Sequence, residues 1–287
     1  MLTKMPLPDK TEFRLGLTGY SLEHSLSPKI HTAALRACSL EGDYSLYPVP
    51  SNDQGGLKEL LTLLRNGKLQ GLNVTIPHKQ SVIPWLDELT PTAKAIGAVN
   101  TIHLRDGKLV GENTDAAGFL SDLKQLMAME RQRHEGSKAL VLGAGGSARA
   151  VVYALTSDRW KVVVVSRRIQ QAQELAIQFE NVEAVEFDSQ VFQSANFQLV
   201  VNATPLGMAP TVEQSPWPEN IPLPNAAIYD LVYNPRETKL IRVARAQGLR
   251  ATTGLGMLVE QAALAFEIWT SRCPSRDILF ESVNSFP

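Results

Sequence analysis

Three short polar motifs interrupt apolar stretches in the first 115 residues, and their side chains could handle a small hydroxylated acid. The first is His24-Ser25-Leu26-Ser27-Pro28, two small hydroxyls ahead of a helix that should begin near Pro28. A helix N-terminus with hydroxyl donors beside it suits a carboxylate. The plainer alternative makes Ser27 an N-cap ahead of proline at the first helical position. The second motif runs from Asn73 through Thr75 and Pro77 to Lys79. Asn73 and Thr75 alternate with Val74 and Ile76, so both face one side of a strand end. Pro77 stops that strand, and Lys79 follows at the start of a helix, either as a working ammonium or as an ordinary solvated lysine. The third is Asn113-Thr114-Asp115, directly after the hairpin and before the bridging helix, where the plainer alternative makes Asp115 a helix N-cap. A related island, Gly97 to Thr101, supplies Asn100. Hydroxyls and amides suit the alcohols of a polyhydroxylated acid, serines its carboxylate, and a Lys–Asp pair the reacting oxygen. Hydride transfer to a ketone builds alkoxide charge that needs a proton donor or a cation. A carboxylate ~4 Å from the lysine would hold its ammonium by roughly 4 kcal/mol at an effective dielectric of 20. A positioned acid contributes about 10²–10⁴ in rate.

A hydride source is implied further along. Gly143, Ala144, Gly145, Gly146, Ser147 and Ala148 form a glycine turn entered by the apolar run Ala139 to Leu142. The segment Arg149 to Leu155 leaves it with helical spacing, and the apolar run Val162 to Val165 follows. Strand, glycine turn, helix and strand within roughly thirty residues form the layout of a dinucleotide-binding unit. Gly143 allows the tight turn, Gly145 a close approach to pyrophosphate, and Ala148 contact between helix and strand. The second strand ends in Ser166-Arg167-Arg168, where an NAD enzyme usually places an acid for the ribose hydroxyl. A carboxylate would repel a 2′-phosphate, whereas a guanidinium binds it. The sequence therefore implies NADP, the alternative being two arginines that merely solvate a loop.

Composition narrows the class. The chain has 287 residues, enough for two domains, with 44% hydrophobic and 20% charged residues, as in ordinary globular proteins. A formal net charge of −1 gives no reason to expect nucleic acid or an anionic membrane as partner. No apolar run approaches the roughly 20 residues that span a bilayer. The first twelve residues lack the apolar core of a signal peptide. Cys38 and Cys273 imply no disulfide framework, and His24, His31, His78, His103 and His134 show no metal-ligand spacing. No nucleophile-elbow motif is present. A cytoplasmic enzyme fits all of this.

The elements that must carry these residues alternate between strand and helix. Strands are expected at Phe13 to Thr18, Asp43 to Val49 and Leu69 to Ile76, and helices at Pro28 to Cys38 and Asp53 to Arg65. Val99 to Leu104 and Leu109 to Glu112 flank Asp106-Gly107, a hairpin turn signal. A bridging helix covers Gly118 to Met129. Beyond the glycine unit come strands at Phe197 to Val201 and Ala227 to Val232, a helix at Lys239 to Gln247 and a short strand at Arg250 to Thr253. The apolar helix Leu258 to Trp269 should return to the first domain. The fold class is thus α/β with two domains. Residues 1–116 and 258–287 would form a substrate domain with a mostly parallel sheet, and 117–257 a Rossmann-type NADP-binding domain.

In this order, HSLSP, NVTIPHK, GAVNT, NTD, GAGGSAR, NATPLGM (Asn202 to Met208), DLVYNP (Asp230 to Pro235) and GLGMLVEQA (Gly254 to Ala262) resemble the motifs of the shikimate dehydrogenases. The similarity runs from about Phe13 to Trp269. The resemblance implies reduction of 3-dehydroshikimate to shikimate by NADPH, in chorismate and aromatic amino-acid biosynthesis. It implies two α/β domains hinged around a cleft. By matching position, Lys79 and Asp115 would be the catalytic pair, and Ser25 and Ser27 would bind the substrate carboxylate. Asn73, Thr75, Asn100 and Gln261 would hold ring hydroxyls or carboxylate, with Tyr233 nearby. Gly143 to Arg149 would bind the cofactor phosphates, and Arg167 and Arg168, after Ser166, the 2′-phosphate. Thr204, Met208 and the backbone around Gly254 would line the nicotinamide side. The partner implied is the small-molecule substrate, and the protein is expected as a monomer or homodimer.

Three positions depart from the family pattern. Ser21 stands where proline is frequent, Ser166-Arg167-Arg168 where Asn-Arg-Thr is common, and Gln171 where a further basic residue is often found. Two other readings compete: a quinate/shikimate dehydrogenase of broader use, and a non-catalytic NADP-binding sensor. The missing acid after Val165 argues against an NAD-preferring branch, and intact Lys79 and Asp115 argue against a sensor.

Overall fold

The computed structural model describes residues 12–127, 136–193 and 196–284. His134 and the first eleven residues lie outside the described residues. In chain order the first elements are β1 (Glu12–Gly19), α1 (Ser27–Ala37), β2 (Glu41–Pro48), α2 (Gln54–Arg65), β3 (Gly71–Val74), α3 (His78–Ser81) and β4 (Glu88–Leu89). Then come α4 (Pro91–Ile96), β5 (Thr101–Arg105), β6 (Lys108–Glu112), α5 (Asp115–Met127), β7 (Lys138–Leu142), α6 (Gly146–Ser157), β8 (Lys161–Ser166) and α7 (Ile169–Ala176). The last are β9 (Val182–Glu186), α8 (Ser189–Gln193), β10 (Leu199–Asn202), β11 (Ala227–Asp230), α9 (Lys239–Ala246), β12 (Ala251–Thr253), α10 (Leu255–Thr270) and α11 (Arg276–Asn284). The chain divides into two compact units. One comprises the described residues of Met1–Thr90, Val99–Glu112 and Ala262–Pro287, the other those of Pro91–Ala98 and Asn113–Gln261.

The first unit holds a six-stranded sheet in the order β2-β1-β3-β5-β6-β4. β1 runs parallel to β2 and β3, β5 is antiparallel to both neighbours, and β4 is parallel to β6. Five strands therefore share one direction, and β5 alone is reversed by the Asp106-Gly107 hairpin. Leu15, Leu72, Ile102 and Leu109 are fully buried in it, as inner strands covered on both faces require. The last turns of α10 pack on this sheet. A Cβ at Gly71 would stand 2.3 Å from the Trp269 indole, and Trp269 Nε1 donates to the Ile102 carbonyl at 3.1 Å.

The second unit holds a six-stranded, wholly parallel sheet in the order β12-β11-β10-β7-β8-β9. Counted within the unit this is 6-5-4-1-2-3, the Rossmann order, with its switch point between β7 and β10. The apolar runs of β7, β8 and β10 are buried on both faces. Val141, Val164 and Val201 pack with Phe119, Val151 and Leu155 on one side. Leu140, Val163 and Val200 pack with Phe192, Trp217 and Ile241 on the other.

Three helices begin about one turn before the apolar periodicity implies. α5 starts at Asp115 rather than Gly118, α6 at Gly146 rather than Arg149, and α10 at Leu255 rather than Leu258. Much of each first turn is small or polar (Asp115 and Ala116, Gly146 and Ser147, Gly256), so hydrophobic spacing does not register there. The expected end of α5 at Met129 lies outside the described residues. β4 and β9 are absent from the sequence-based scheme, because β4 is two residues long and β9 buries neither face completely.

Candidate active site

In the first unit the polar motifs gather at the carboxyl ends of β1 and β3. The backbone N–H of Thr75 donates to the Thr18 carbonyl at 2.9 Å, and that of Tyr20 to the Ile76 carbonyl at 2.9 Å. This closeness requires Gly19: a Cβ there would stand 2.3 Å from Thr75 Cγ2 and 2.7 Å from the Ile76 carbonyl oxygen. Ser27 is the first helical residue of α1, preceded by Leu26, which makes no capping bond. Its N–H donates to Ser25 Oγ at 3.2 Å. Ser27 thus stands inside the helix, so the N-cap alternative fails, and its buried hydroxyl is left for another role. Lys79 lies in the short helix α3 and is 8% exposed. Its carbonyl accepts the Val99 N–H at 2.7 Å, and the neighbouring His78 Nε2 bonds the Val49 carbonyl at 2.7 Å. Such burial removes Lys79 from the class of ordinary surface lysines.

Asn73 and Asn100 form one buried cluster. Tyr44 Oη donates to Asn73 Oδ1 at 2.8 Å, and Asn73 Nδ2 donates to the Asn100 carbonyl and to Thr101 Oγ1, each at 3.1 Å. Thr101 Oγ1 donates to Asn100 Oδ1 at 3.1 Å. Both amide protons of Asn73 are thereby used within the protein, and its oxygen accepts the Tyr44 hydroxyl. Sequence reasoning missed Tyr44, which orients that amide and stacks on His31 with ring centroids 4.2 Å apart.

In the second unit the glycine turn lies at the carboxyl end of β7. Gly143 has φ +113°, and a Cβ there would lie 3.0 Å from the Ala203 carbonyl oxygen. Nothing within 4 Å meets a Cβ built on Gly145, the residue preceding α6. Open space beside a helix N-terminus, with its first-turn N–H groups, fits a pyrophosphate. Ala148 is fully buried against the sheet. Arg149 Nε donates to the Ile96 carbonyl at 2.7 Å, and its guanidinium bonds the Gln178 side chain. Beyond β8, Arg167 and Arg168 are exposed and the Arg168 N–H donates to Ser166 Oγ at 3.3 Å. The pair fits a 2′-phosphate, with no acid in the loop to oppose it.

The ends of β10 and β11 carry a buried network that sequence reasoning did not single out. Asn202 Nδ2 donates to Asp230 Oδ1 at 2.8 Å and to the Leu206 carbonyl at 3.1 Å. Asn202 Oδ1 accepts the Thr204 N–H at 2.9 Å and its hydroxyl at 2.7 Å. Asp230 accepts the Val232 N–H at 3.0 Å and the Thr238 hydroxyl at 2.6 Å. Burial pushes the Asp230 carboxyl up to about 6, against the pull of these donors. Asn202 and Asp230 open two of the motifs quoted above, and each closes an apolar strand, LVVN and AIYD, but nothing in the sequence pairs them. Met208 is exposed in the loop held by Asn202, and Tyr233 is half-buried after β11.

Asp115 opens α5 and is buried, as is Gln261 on α10. Gln261 Nε2 donates to the Leu258 carbonyl at 2.9 Å. The two helices touch at Gly118, where a Cβ would lie 2.8 Å from the Gln261 backbone nitrogen. Gly254 abuts the Leu231 carbonyl, which a Cβ would approach to 2.3 Å. Asp115, Tyr233, Gln261 and the cofactor-side residues thus belong to the second unit, and Ser25, Ser27, Asn73, Thr75, Lys79 and Asn100 to the first.

Comparison with known proteins agrees along the chain. Residues 17–102 match the model of the shikimate dehydrogenase substrate binding domain, 125–216 that of shikimate/quinate 5-dehydrogenase, and 254–278 that of the shikimate 5′-dehydrogenase C-terminal domain. The chain is 42% identical to the shikimate dehydrogenase (NADP(+)) of Salinibacter ruber, over 98% of this chain and all of that one. The shikimate 5-dehydrogenase of Thermus thermophilus, solved with NADP(H) and shikimate, is 38% identical and superposes with a TM-score of 0.82, covering 95% of this chain and 98% of that one. The quinate dehydrogenase of Corynebacterium glutamicum, solved with NAD, is 32% identical with a TM-score of 0.84, covering 96% and 99%. The chain belongs to the shikimate dehydrogenase family.

Proposed function

We propose that the protein is an NADP-dependent shikimate dehydrogenase in which Lys79 and Asp115 handle the proton of the reacting oxygen. The observation that carries this reading is the burial of Lys79 and Asn73 at the end of β3, which two backbone bonds tie to the end of β1. When bound, NADPH supplies a hydride to the carbonyl carbon of 3-dehydroshikimate. The Lys79 ammonium gives a proton to the oxygen as charge builds there and takes it back in the reverse direction. A positioned acid of this kind contributes about 10²–10⁴ in rate. Ser25 and Ser27 bind the carboxylate. Thr75, Asn100, Gln261 and the Asn73 side-chain oxygen hold the ring hydroxyls or carboxylate, with Tyr233 alongside. Residues 1–116 and 258–287 serve the substrate and 117–257 the cofactor.

The cofactor is held from phosphates to nicotinamide by one unit. The glycine turn and the first turn of α6 take the pyrophosphate, Arg167 and Arg168 the 2′-phosphate, and Thr204, Met208 and the Gly254 backbone the nicotinamide side. Arg149 braces the turn through Ile96 and Gln178. The exposed Arg pair, with no acid at the end of β8, supports NADP over NAD. Among the described residues no helix is long and apolar enough to cross a membrane. We place the enzyme in the cytoplasm, where its free cysteines Cys38 and Cys273 would stay reduced, as a monomer or homodimer.

Initial rates with shikimate or quinate, each with NADP⁺ or NAD⁺, test the reading. Rapid turnover confined to shikimate with NADP⁺ is the outcome expected. Comparable kcat/KM for quinate or NAD⁺ would move the protein to the broader branch. No turnover in any combination, with NADPH still bound, would make it a sensor.

A further inference from the structure

Asp122 lies seven residues after Asp115 on α5, two turns along the same helix face, with Gly118 between them. Its carboxylate accepts the hydroxyl of Tyr229, fully buried on β11, and the backbone N–H of Met257 in the first turn of α10. Gly256 is seated against the same group: a Cβ there would come within 2.0 Å of Asp122 Oδ1. One turn back, Gly118 meets the backbone of Gln261 and Met257. Leaving a carboxylate this buried is costly unless its donors repay it, and nothing in the proposed chemistry uses it. It does satisfy an N–H that a helix start leaves unpaired.

We propose that Asp122 and Tyr229 are positioning residues that anchor the start of α10 to α5, setting the register at which Gln261 and Asp115 meet the substrate. The inference rests on the reading that those two residues touch it. Displacing a reacting group by about 1 Å costs on the order of 10² in rate, so the tie acts through KM and kcat rather than through contact. Burial raises the Asp122 carboxyl, Glu260 on α10 adds to the rise, and the Tyr229 hydroxyl opposes it.

Tyr229→Phe and Asp122→Asn test the tie. The first keeps the ring and its edge-on contact with Phe119 while deleting one hydroxyl. We expect KM for shikimate to rise at least about fivefold in both, with NADPH affinity by fluorescence titration within about twofold of wild type. In Tyr229→Phe the acid limb of kcat/KM should also move to higher pH, because Asp122 loses a donor to its charged form. Asp122→Asn should lack that displacement. Folded variants with unchanged KM and acid limb would reduce the pair to packing. A parallel Asp115→Asn variant separates the two ideas. Wild-type kcat/KM there would overturn the site reading and this inference with it, whereas loss there beside an unchanged Tyr229→Phe would overturn the inference alone.

Discussion

The side-chain amide of Asn202 donates to the carboxylate of Asp230 across 2.8 Å, joining the ends of two adjacent parallel strands where neither residue is exposed. Each partner also holds the loop that follows its own strand. Asn202 receives both donors of Thr204, while Asp230 receives Val232 and, through Thr238, the N-terminus of α9. The loop proposed to border the nicotinamide and the loop that carries Tyr233 therefore both hang on this buried pair.

Asn202→Ala strands two donors of Thr204 and one side of Asp230. Unsatisfied buried polar groups cost about 1–3 kcal/mol each, and local relaxation recovers part of that. We expect a stability loss of about 2–4 kcal/mol by urea denaturation and NADPH binding weakened at least about fivefold. A variant that loses stability but binds NADPH normally would mean that the Thr204 loop keeps its shape without Asn202.

The pH dependence of stability separates two buried groups of opposite sign. Asp230 titrates at about 6 when folded, well above an ordinary carboxylate. Its stabilising contribution is complete below about pH 4 and disappears as pH rises through the folded value. His31 is fully buried, and that burial lowers it to about 3 against the opposing pull of the Asn73 side chain. The unfolded chain binds that proton first, so its contribution grows as pH rises toward about 6.5. Each slope is ~1.4 kcal/mol per pH unit, and the two nearly cancel between about pH 4 and 6. Relative to wild type, Asp230→Asn should become more stable as pH rises through this window, and His31→Phe less. Urea midpoints at half-unit intervals check this, and parallel profiles for the three proteins would refute it.

What the sequence made legible follows from period and composition. The continuous apolar runs of β7 and β8 and the glycine turn between strand and helix exposed the cofactor unit. Ser25, Thr75 and Lys79 could be read because each breaks an apolar element next to proline or a strand end. The partners that orient them were not legible. Tyr44 reads as one more aromatic on a strand, and nothing local links it to Asn73, 29 residues away. Tyr229 and Asp122 are 107 residues apart. Arg149 sits in the glycine motif by sequence, yet its side chain is committed to Ile96 and Gln178, a direction that spacing along the chain does not encode.

Lys79→Ala tests the proton step. The ammonium is proposed to act on charge that develops only in the transition state, so kcat should fall at least about 10²-fold with a smaller change in KM. Cofactor affinity should be untouched, since Lys79 lies in the first unit and the elements proposed to bind NADP in the second. Steady-state kinetics with shikimate and NADP⁺ measure this, and a kcat within a few-fold of wild type would remove Lys79 from the mechanism.

Replacing Arg167 and Arg168 together by alanine tests cofactor choice with little risk to the fold, because both are exposed at the end of β8. Charge-assisted bonds to a phosphate contribute about 1.5–3 kcal/mol each. Gln171, in the first turn of α7, brings no charge to share the task. The double variant should therefore lose at least about tenfold in kcat/KM for NADP⁺ while changing less than about threefold for NAD⁺. Raising the salt concentration should weaken wild-type NADP⁺ use more than that of the variant, since exposed charges are screened. Equal losses for the two cofactors would mean that the 2′-phosphate is read elsewhere, and that these arginines support the loop rather than select the dinucleotide.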